Sequence, residues 1–286
     1  MGIGLALSGG GVKGSAHIGV IKALEEENIP IEYIAGTSSG SIVSALYAAG
    51  FSADEIYNIF KKYCKKIKYI DAKNILKLFF GLITTLTITI DGLNSGKSIK
   101  KLINKVCSKK NISNISQIKM PLIIPSVNMN NGDVVCFSSL KVRNFSNNTI
   151  FVNDANIGEC VQASCSFPTV FSPCNYKNIK LVDGGIRENT PWRELKTIGA
   201  DEVISVVFEN EVDNNCCKNL VDVAFRSFEL MGKELSKYEL DGADYLIKIK
   251  SKKVSLLDMS KIDEFFELGY RETKIFLAKN KTKLLY

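Results

Sequence analysis

Two short stretches decide how this chain folds: LALSGGGVKGSAH at residues 5–17 and IAGTSSGS at residues 34–41. In each, an apolar run breaks at glycines and a run that suits a helix comes next. Gly9, Gly11 and Gly14 fit the spacing G-x-G-x-x-G, behind an apolar strand at residues 3–8. Ahead of them Ile18, Ile21 and Leu24 recur at helical spacing in Ser15–Glu27, before Pro30 stops the helix. Such a loop binds a dinucleotide when the rest of the fingerprint is present. Backbone amides at a helix start attract any anion, so a pyrophosphate and the oxyanion of an acyl-transfer intermediate fit equally well.

The second stretch separates these possibilities. A dinucleotide site calls for an acidic residue at the end of the second strand, to hold the ribose hydroxyls. Here the apolar run Ile31–Ala35 ends instead in Gly36-Thr37-Ser38-Ser39-Gly40. This is G-x-S-x-G, the pattern of a strained strand-to-helix elbow that presents a serine hydroxyl between small neighbours. Ser38 is therefore the candidate nucleophile. The plainer alternative is a serine-rich turn capping the helix at Ser39–Ala49, and the setting beside a second glycine loop weighs against it.

A serine hydroxyl needs a base, most often a histidine held by a carboxylate. The chain has one histidine, His17, one turn into the first helix between Ala16 and Ile18, where a packed position is expected. A carboxylate acting directly on Ser38 is the better expectation. The candidate is Asp183, which ends the apolar run in Leu181-Val182-Asp183-Gly184-Gly185. A bare D-G turn is the alternative. The strand-end position of Asp183 and the ordered-looking Asn189-Thr190-Pro191 beyond it favour chemistry.

With 286 residues, 45% hydrophobic and 23% charged, the chain has material for a large core and no composition break, so one domain over 1–286 is expected. The net charge of +7 is concentrated in lysines, at 61, 62, 65, 66 and 68 and again between Lys97 and Lys110. These fit an anionic membrane surface or an ordinary solvated face, and no aromatic interleaving points to nucleic acid. Eight cysteines without C-x-x-C spacing, Cys216 and Cys217 being adjacent, imply free thiols in a reducing compartment. The first residues lack the basic start and apolar run of a signal peptide, so none is expected, and the apolar stretch Leu78–Ile90 is shorter than the about 20 residues of a spanning helix. A cytoplasmic protein, peripheral on the inner membrane face, is the expectation.

Further along, Ser52 and Glu55 form a capping-box pattern for a helix through Phe60. Leu122–Val127 and Val134–Phe137 read as strands around an Asn131-Gly132 turn, and Gly158–Ser164 as a helix. Beyond these lie strands at Ile179–Val182, Glu202–Phe208 and Tyr245–Ile249 and helices at Leu220–Leu240 and Ile262–Lys279. Alternating strands and helices give an α/β fold with helices on both sheet faces. The irregular segment 61–116, apolar at its centre and basic at its flanks, reads as a lid, a membrane-docking insertion or ordinary core.

GGGVKG at 9–14, GTSSG at 36–40 and DGG at 183–185, in this order and with a single histidine, resemble the patatin-like phospholipase family. AHIGVIKAL after the glycine loop, GLNSGKSI at 92–99 and QASCSFPTVFSP at 162–173 look similar to its bacterial members. The resemblance implies a three-layer α/β/α sandwich around a mostly parallel sheet and a lipid acyl hydrolase with a Ser38–Asp183 dyad. It implies an oxyanion hole at Gly9, Gly10 and Gly11, supporting roles for Gly14, Gly36, Gly40, Gly184 and Gly185, a phospholipid or other acyl ester as substrate, and neither cofactor nor metal. Gln162 and Lys13 depart from arginines common in the family, which bears on the headgroup rather than the reaction. The rivals are a dinucleotide-binding oxidoreductase, a catalytically silent lipid-binding regulator, and acyl transfer to an alcohol.

Overall fold

The computed structural model describes residues 2–63, 90–143, 148–210, 220–251, 254 and 258–285. The first apolar run forms β1 (Ile3–Leu7), and a 3-10 turn at Gly11–Lys13 leads into α1 (Gly14–Glu26). The second glycine stretch joins β2 (Tyr33–Gly36) to α2 (Ser39–Ala48). Then comes α3 (Ala53–Tyr63), opened by the capping box: the Glu55 amide donates to Ser52 Oγ at 3.3 Å and the Ser52 amide to the Glu55 carboxylate at 2.9 Å. The lysine-rich apolar stretch at 64–89 lies outside the described residues. The next helix, α4 (Lys97–Cys107), is amphipathic and buries Ile99, Ile103 and Val106, so this part of the segment is core.

Three strands come next: β3 (Leu122–Asn128), β4 (Val134–Ser138) and β5 (Thr149–Val152). They lead to α5 (Ile157–Ser164), β6 (Cys174–Tyr176) and β7 (Ile179–Asp183). The chain continues through α6 (Trp192–Thr197), β8 (Glu202–Asn210), α7 (Leu220–Glu239), β9 (Tyr245–Ser251) and α8 (Ile262–Leu285).

Among the described residues nine strands form one mixed sheet, ordered β5-β4-β3-β2-β1-β8-β9, with β7 on β3 and β6 on β7. The pairs β1–β2, β1–β8, β2–β3, β8–β9 and β4–β5 are parallel. Only β3–β4, β3–β7 and β6–β7 are antiparallel. Strand pleating sends alternate side chains to opposite faces. In β1, Ile3, Leu5 and Leu7 enter a large core with α1, α2, α4, α5 and α8, whereas Ala6 joins a smaller one with Trp192 and Leu195 of α6. Helices thus cover both faces.

The helices α1 and α8 approach almost backbone to backbone. A Cβ on Gly269 would lie 2.0 Å from the Ala16 carbonyl oxygen, and one on Gly19 equally close to the Phe266 oxygen. Overpacking of this kind costs about 3 kcal/mol when a helix has to shift. Gly269→Val is expected to lower the urea unfolding midpoint by that equivalent, while Ile275→Ala, at an exposed position on the same helix, leaves it within about 0.5 kcal/mol.

Candidate active site

The position of the site is set by β3. Its edge opposite β4 is shared by two strands: β2 occupies the first part, with Ala35 opposite Ile123, and β7 the last, with Asp183 opposite Ser126. β2 is parallel to β3 and β7 antiparallel, so their C-terminal ends run toward each other along one edge. The gap of three residues is about 10 Å at strand rise. Ser38, two residues past the end of β2, and Asp183, the last residue of β7, are brought into it from opposite directions. Asp183 is therefore placed by a head-to-head meeting of antiparallel strands, where a row of parallel strand ends was expected.

Ser38 occupies φ 51° and ψ −119°, a conformation that a side chain rarely adopts. Three neighbours hold it there. Its amide donates to Ser164 Oγ at 3.0 Å, and its carbonyl accepts from Ser41 Oγ at 2.6 Å and Cys165 Sγ at 3.2 Å. The flanking glycines are compulsory: a Cβ on Gly36 would meet the Gly40 carbonyl at 2.3 Å, and one on Gly40 the Leu7 carbonyl at 2.4 Å. The elbow is thus wedged between β1 and its own helix. Burial raises the Cys165 thiol well above its ordinary pKa, which keeps that neighbour neutral.

Asp183 is 1% exposed. Its Oδ1 accepts the Gly185 amide at 2.8 Å, while Oδ2 is buried without an aligned donor. The Ser38 hydroxyl interacts with the same carboxyl, a looser contact of the sort that tightens when substrate binds. Burial raises the Asp183 pKa to about 6, against the stabilising contacts to Ser38 and Gly185. At neutral pH the group is an ionised carboxylate with more than usual affinity for a proton.

The glycine loop divides its amides. Gly9 N–H donates to Asn189 Oδ1 at 3.0 Å and to the Asn189 carbonyl at 3.3 Å. Among the described residues the Gly10 and Gly11 amides have no acceptor, and both residues line the cavity next to Ser38. The short turn behind them carries the helix dipole of α1, positive toward the site. Asn189 was legible only as part of an ordered loop; here it clamps the glycine loop. It is itself held from α7, because Glu239 accepts the amides of Asn189 and Thr190. Burial raises Glu239 to about 7 and, with Glu194 beside it, raises Glu188 well above the usual carboxylate range.

His17 is packed, as its neighbours implied. Its Nε2–H donates to the Ser8 carbonyl at 2.8 Å, its ring lies 4.9 Å from Phe208, and burial depresses its pKa to about 4. It supports the glycine loop from behind and does not line the cavity. Lys13 is buried at the rim, 5.9 Å from the Phe208 ring, with a pKa lowered by burial against the pull of Glu229. Gln162 turns away from the site to donate to the Ser95 carbonyl at 3.0 Å.

Gly9, Gly10, Gly11, Ser38, Asp183 and Gly185 all line one cavity of about 940 Å³. Gly14, Gly36, Gly40 and Gly184 lie outside its lining and serve the packing of loop and elbow. The remaining wall is mainly apolar, with Ile42, Phe60, Ile99, Phe167, Val170 and Phe171 around the serine. Such a wall suits a hydrocarbon chain and dries the electrostatics of the loop. The five described cysteines, at 107, 136, 160, 165 and 174, are buried and unpaired. Among the described residues no His, Cys, Asp and Glu group could hold a metal ion.

The family model for patatin-like phospholipase matches residues 5–196. Lysophospholipase NTE1 of Meyerozyma guilliermondii is 29% identical over 205 residues, 71% of this chain and 12% of that protein. Its counterpart in Coccidioides immitis is 27% identical over 308 aligned positions, 98% of this chain and 18% of that protein. The chain thus spans less than a fifth of either. VipD of Legionella pneumophila has a similar fold, with a TM-score of 0.54 and 17% identity over 97% of this chain and 67% of that one. So has the ExoU–SpcU complex of Pseudomonas aeruginosa, with a TM-score of 0.53 and 18% identity over 98% of this chain and 51% of the matched one.

The electrostatics of Asp183 have a measurable consequence for stability. Its folded pKa of about 6 exceeds its ordinary value of 3.8, so stability falls as pH rises through that window. Above pH 6 the cost is about 3 kcal/mol, since a tenfold change in proton affinity is worth about 1.4 kcal/mol. Asp183→Asn removes it. Denaturant unfolding is expected to find the variant more stable by up to about that amount at pH 7.5, with the difference vanishing below about pH 4.

Proposed function

The chain belongs to the patatin-like phospholipase family, and from that premise we propose that it is a serine acyl hydrolase of glycerolipids, phospholipids and lysophospholipids foremost. The observation that carries this reading is the meeting of Ser38, Asp183 and two unengaged loop amides in one apolar cavity. Its relatives' name, lysophospholipase, points to the same ester class.

The geometry orders the steps. A lipid ester lies with its acyl chain along the apolar wall and its carbonyl at the loop. The Asp183 carboxylate accepts the Ser38 proton as Ser38 Oγ adds to the carbonyl carbon. The amides of Gly10 and Gly11 bind the oxygen that becomes negative, with Gly9 fixed on Asn189 as their anchor. Collapse expels the glycerol-side alcohol, which takes the proton from Asp183, and leaves an acyl-Ser38 ester. Water then gives a proton to Asp183 and attacks that ester, releasing the fatty acid and returning the proton to Ser38. An alcohol in place of water would give acyl transfer by the same route.

The oxidoreductase rival lacks support, since β2 ends at Gly36 without the carboxylate that ribose needs and Ser38 occupies the turn. Among the described residues no helix is long and apolar enough to cross a membrane. We place the protein peripherally, on the cytoplasmic face of a lipid surface.

Fatty acid release from lysophosphatidylcholine micelles tests the reading. Ser38→Ala and Asp183→Asn are each expected to reduce it by about 10³-fold, in the range of an essential nucleophile and base. In the unaltered protein kcat/KM is expected to fall about tenfold per pH unit below pH 6, as Asp183 takes up its proton and ceases to be a base. A profile flat through pH 5, or full activity in either variant, contradicts the dyad.

A further inference from the structure

Among the described residues nine large apolar side chains are exposed, and five of them stand on α7: Val223, Leu230, Met231, Leu235 and Tyr238. They fall at i, i+7, i+8, i+12 and i+15, which puts them on one side of a helix. Their exposures are 46, 52, 61, 46 and 71% in that order, so each leaves about half or more of its side chain open to solvent. The opposite side of the same helix is not free: Arg226, Glu229, Lys233, Ser236 and Leu240 line the catalytic cavity. α7 is therefore a wall of the cavity mouth with an apolar outer surface.

Besides the bonds of Glu239 to Asn189 and Thr190, contacts at its middle and its C-terminal end hold this helix to the body. Phe228 packs edge-on against Phe167 at 5.7 Å between ring centroids. At the C-terminal end Trp192 Nε1–H donates to the Glu239 carbonyl at 2.7 Å, and Arg193 donates to the Tyr238 and Asp241 carbonyls. Leu230 belongs to both surfaces, being exposed outside and part of the cavity lining. An apolar path thus runs from the outer face over Leu230 and Phe228 to the wall around Ser38. Glu234 stands exposed within the stripe and is ion-paired at 2.7 Å with Lys237, which borders both the stripe and the cavity lining, so this pair is neutral overall.

We propose that the outer face of α7 docks on the surface of a phospholipid bilayer, with the helix in the interfacial plane and the cavity mouth turned to the lipid. The occupant is argued from continuity: whatever covers this face also covers the entrance, and the apolar path gives an acyl chain a dry route out of the bilayer. An in-plane helix with a broad, mainly apolar outer face has the form such docking takes. The inference rests on the lipid hydrolase reading for its choice of occupant, but the docking itself does not require turnover.

The test uses the full chain carrying Ser38→Ala, so that binding is read without hydrolysis, in flotation with vesicles of phosphatidylcholine alone and with phosphatidylglycerol added. Met231→Glu and Leu235→Glu change exposed side chains outside the cavity lining. Each is expected to weaken binding to both vesicles by about tenfold or more, since burying a carboxylate in the interface opposes the apolar attraction. With Ser38 intact, hydrolysis of bilayer phospholipid is expected to fall in parallel, while the soluble ester p-nitrophenyl butyrate is cleaved at the unaltered rate. Unchanged vesicle binding in both variants overturns the proposal, as does binding that needs only anionic lipid and ignores the substitutions. A dimer in light scattering that either substitution dissociates also overturns it, assigning the face to a second copy. Vesicle binding lost in the variants of a protein that cleaves no ester supports docking while removing the hydrolase reading.

Discussion

Everything at the site depends on one strand edge serving two partners. β3 lends the first half of its free edge to β2 and the second half to β7, and the opposite directions of these strands bring Gly36 and Asp183 toward each other. No long-range flexible loop has to find its target: Ser38 and Asp183 are each within two residues of a hydrogen-bonded ladder. A register slip of one residue in β7 would turn the Asp183 side chain to the other face of the sheet. The core on both faces, with Ile123, Val182 and Leu181 all buried, resists such a slip.

The stress that this arrangement stores is confined to a few atoms. Ser38 is held in a rare backbone conformation by Ser41, Ser164 and Cys165, and Asp183 has lost its water in exchange for one aligned amide and a loose contact with the serine. Each is unfavourable for the resting fold and useful to the proposed reaction: the elbow exposes the hydroxyl, and desolvation makes the carboxylate a stronger base. The large core behind α1 and α8 offsets these costs. Glu239 and Asn189 extend the same logic outward, tying α7 to the loop whose amides face the serine. The helix that walls the entrance and the loop that would hold the oxyanion are therefore mechanically connected.

Much of this was legible in the residues. GTSSG between an apolar run and a small-residue helix specified the elbow, because at Gly36 and Gly40 a side chain would collide with backbone of α2 and β1. LVDGG marked the end of β7, and the single histidine between apolar neighbours proved to be packed at the level of Ser8. The strands at Thr149–Val152 and Cys174–Tyr176 were missed, being short, and the first exposing mixed residues without a clean alternation. The partnership of Gly9 with Asn189 spans 180 residues and carries no local signal. It engages the Gly9 amide, leaving those of Gly10 and Gly11 for the proposed oxyanion role. In the segment 61–116, the lysines of what became α4 suited a solvent-facing surface, and the local pattern did not fix its structure. Its packing against α5, through Gly158 and Asn104, and against Leu46 and Phe60 of α2 and α3 makes it core. The exposed stripe of α7 is periodic in sequence too, yet period alone does not say which face is covered.

The most direct test of the dyad is to treat the folded protein with a fluorophosphonate and map the modified peptide by mass spectrometry. Labelling confined to Ser38, rising with pH through about 6 and at least about 100-fold slower in Asp183→Asn, is the expected result for a serine activated by this carboxylate. An unlabelled Ser38 in protein shown to be folded, or labelling as fast in Asp183→Asn, would mean that Asp183 does not activate it and that the glycine loop serves some other anion.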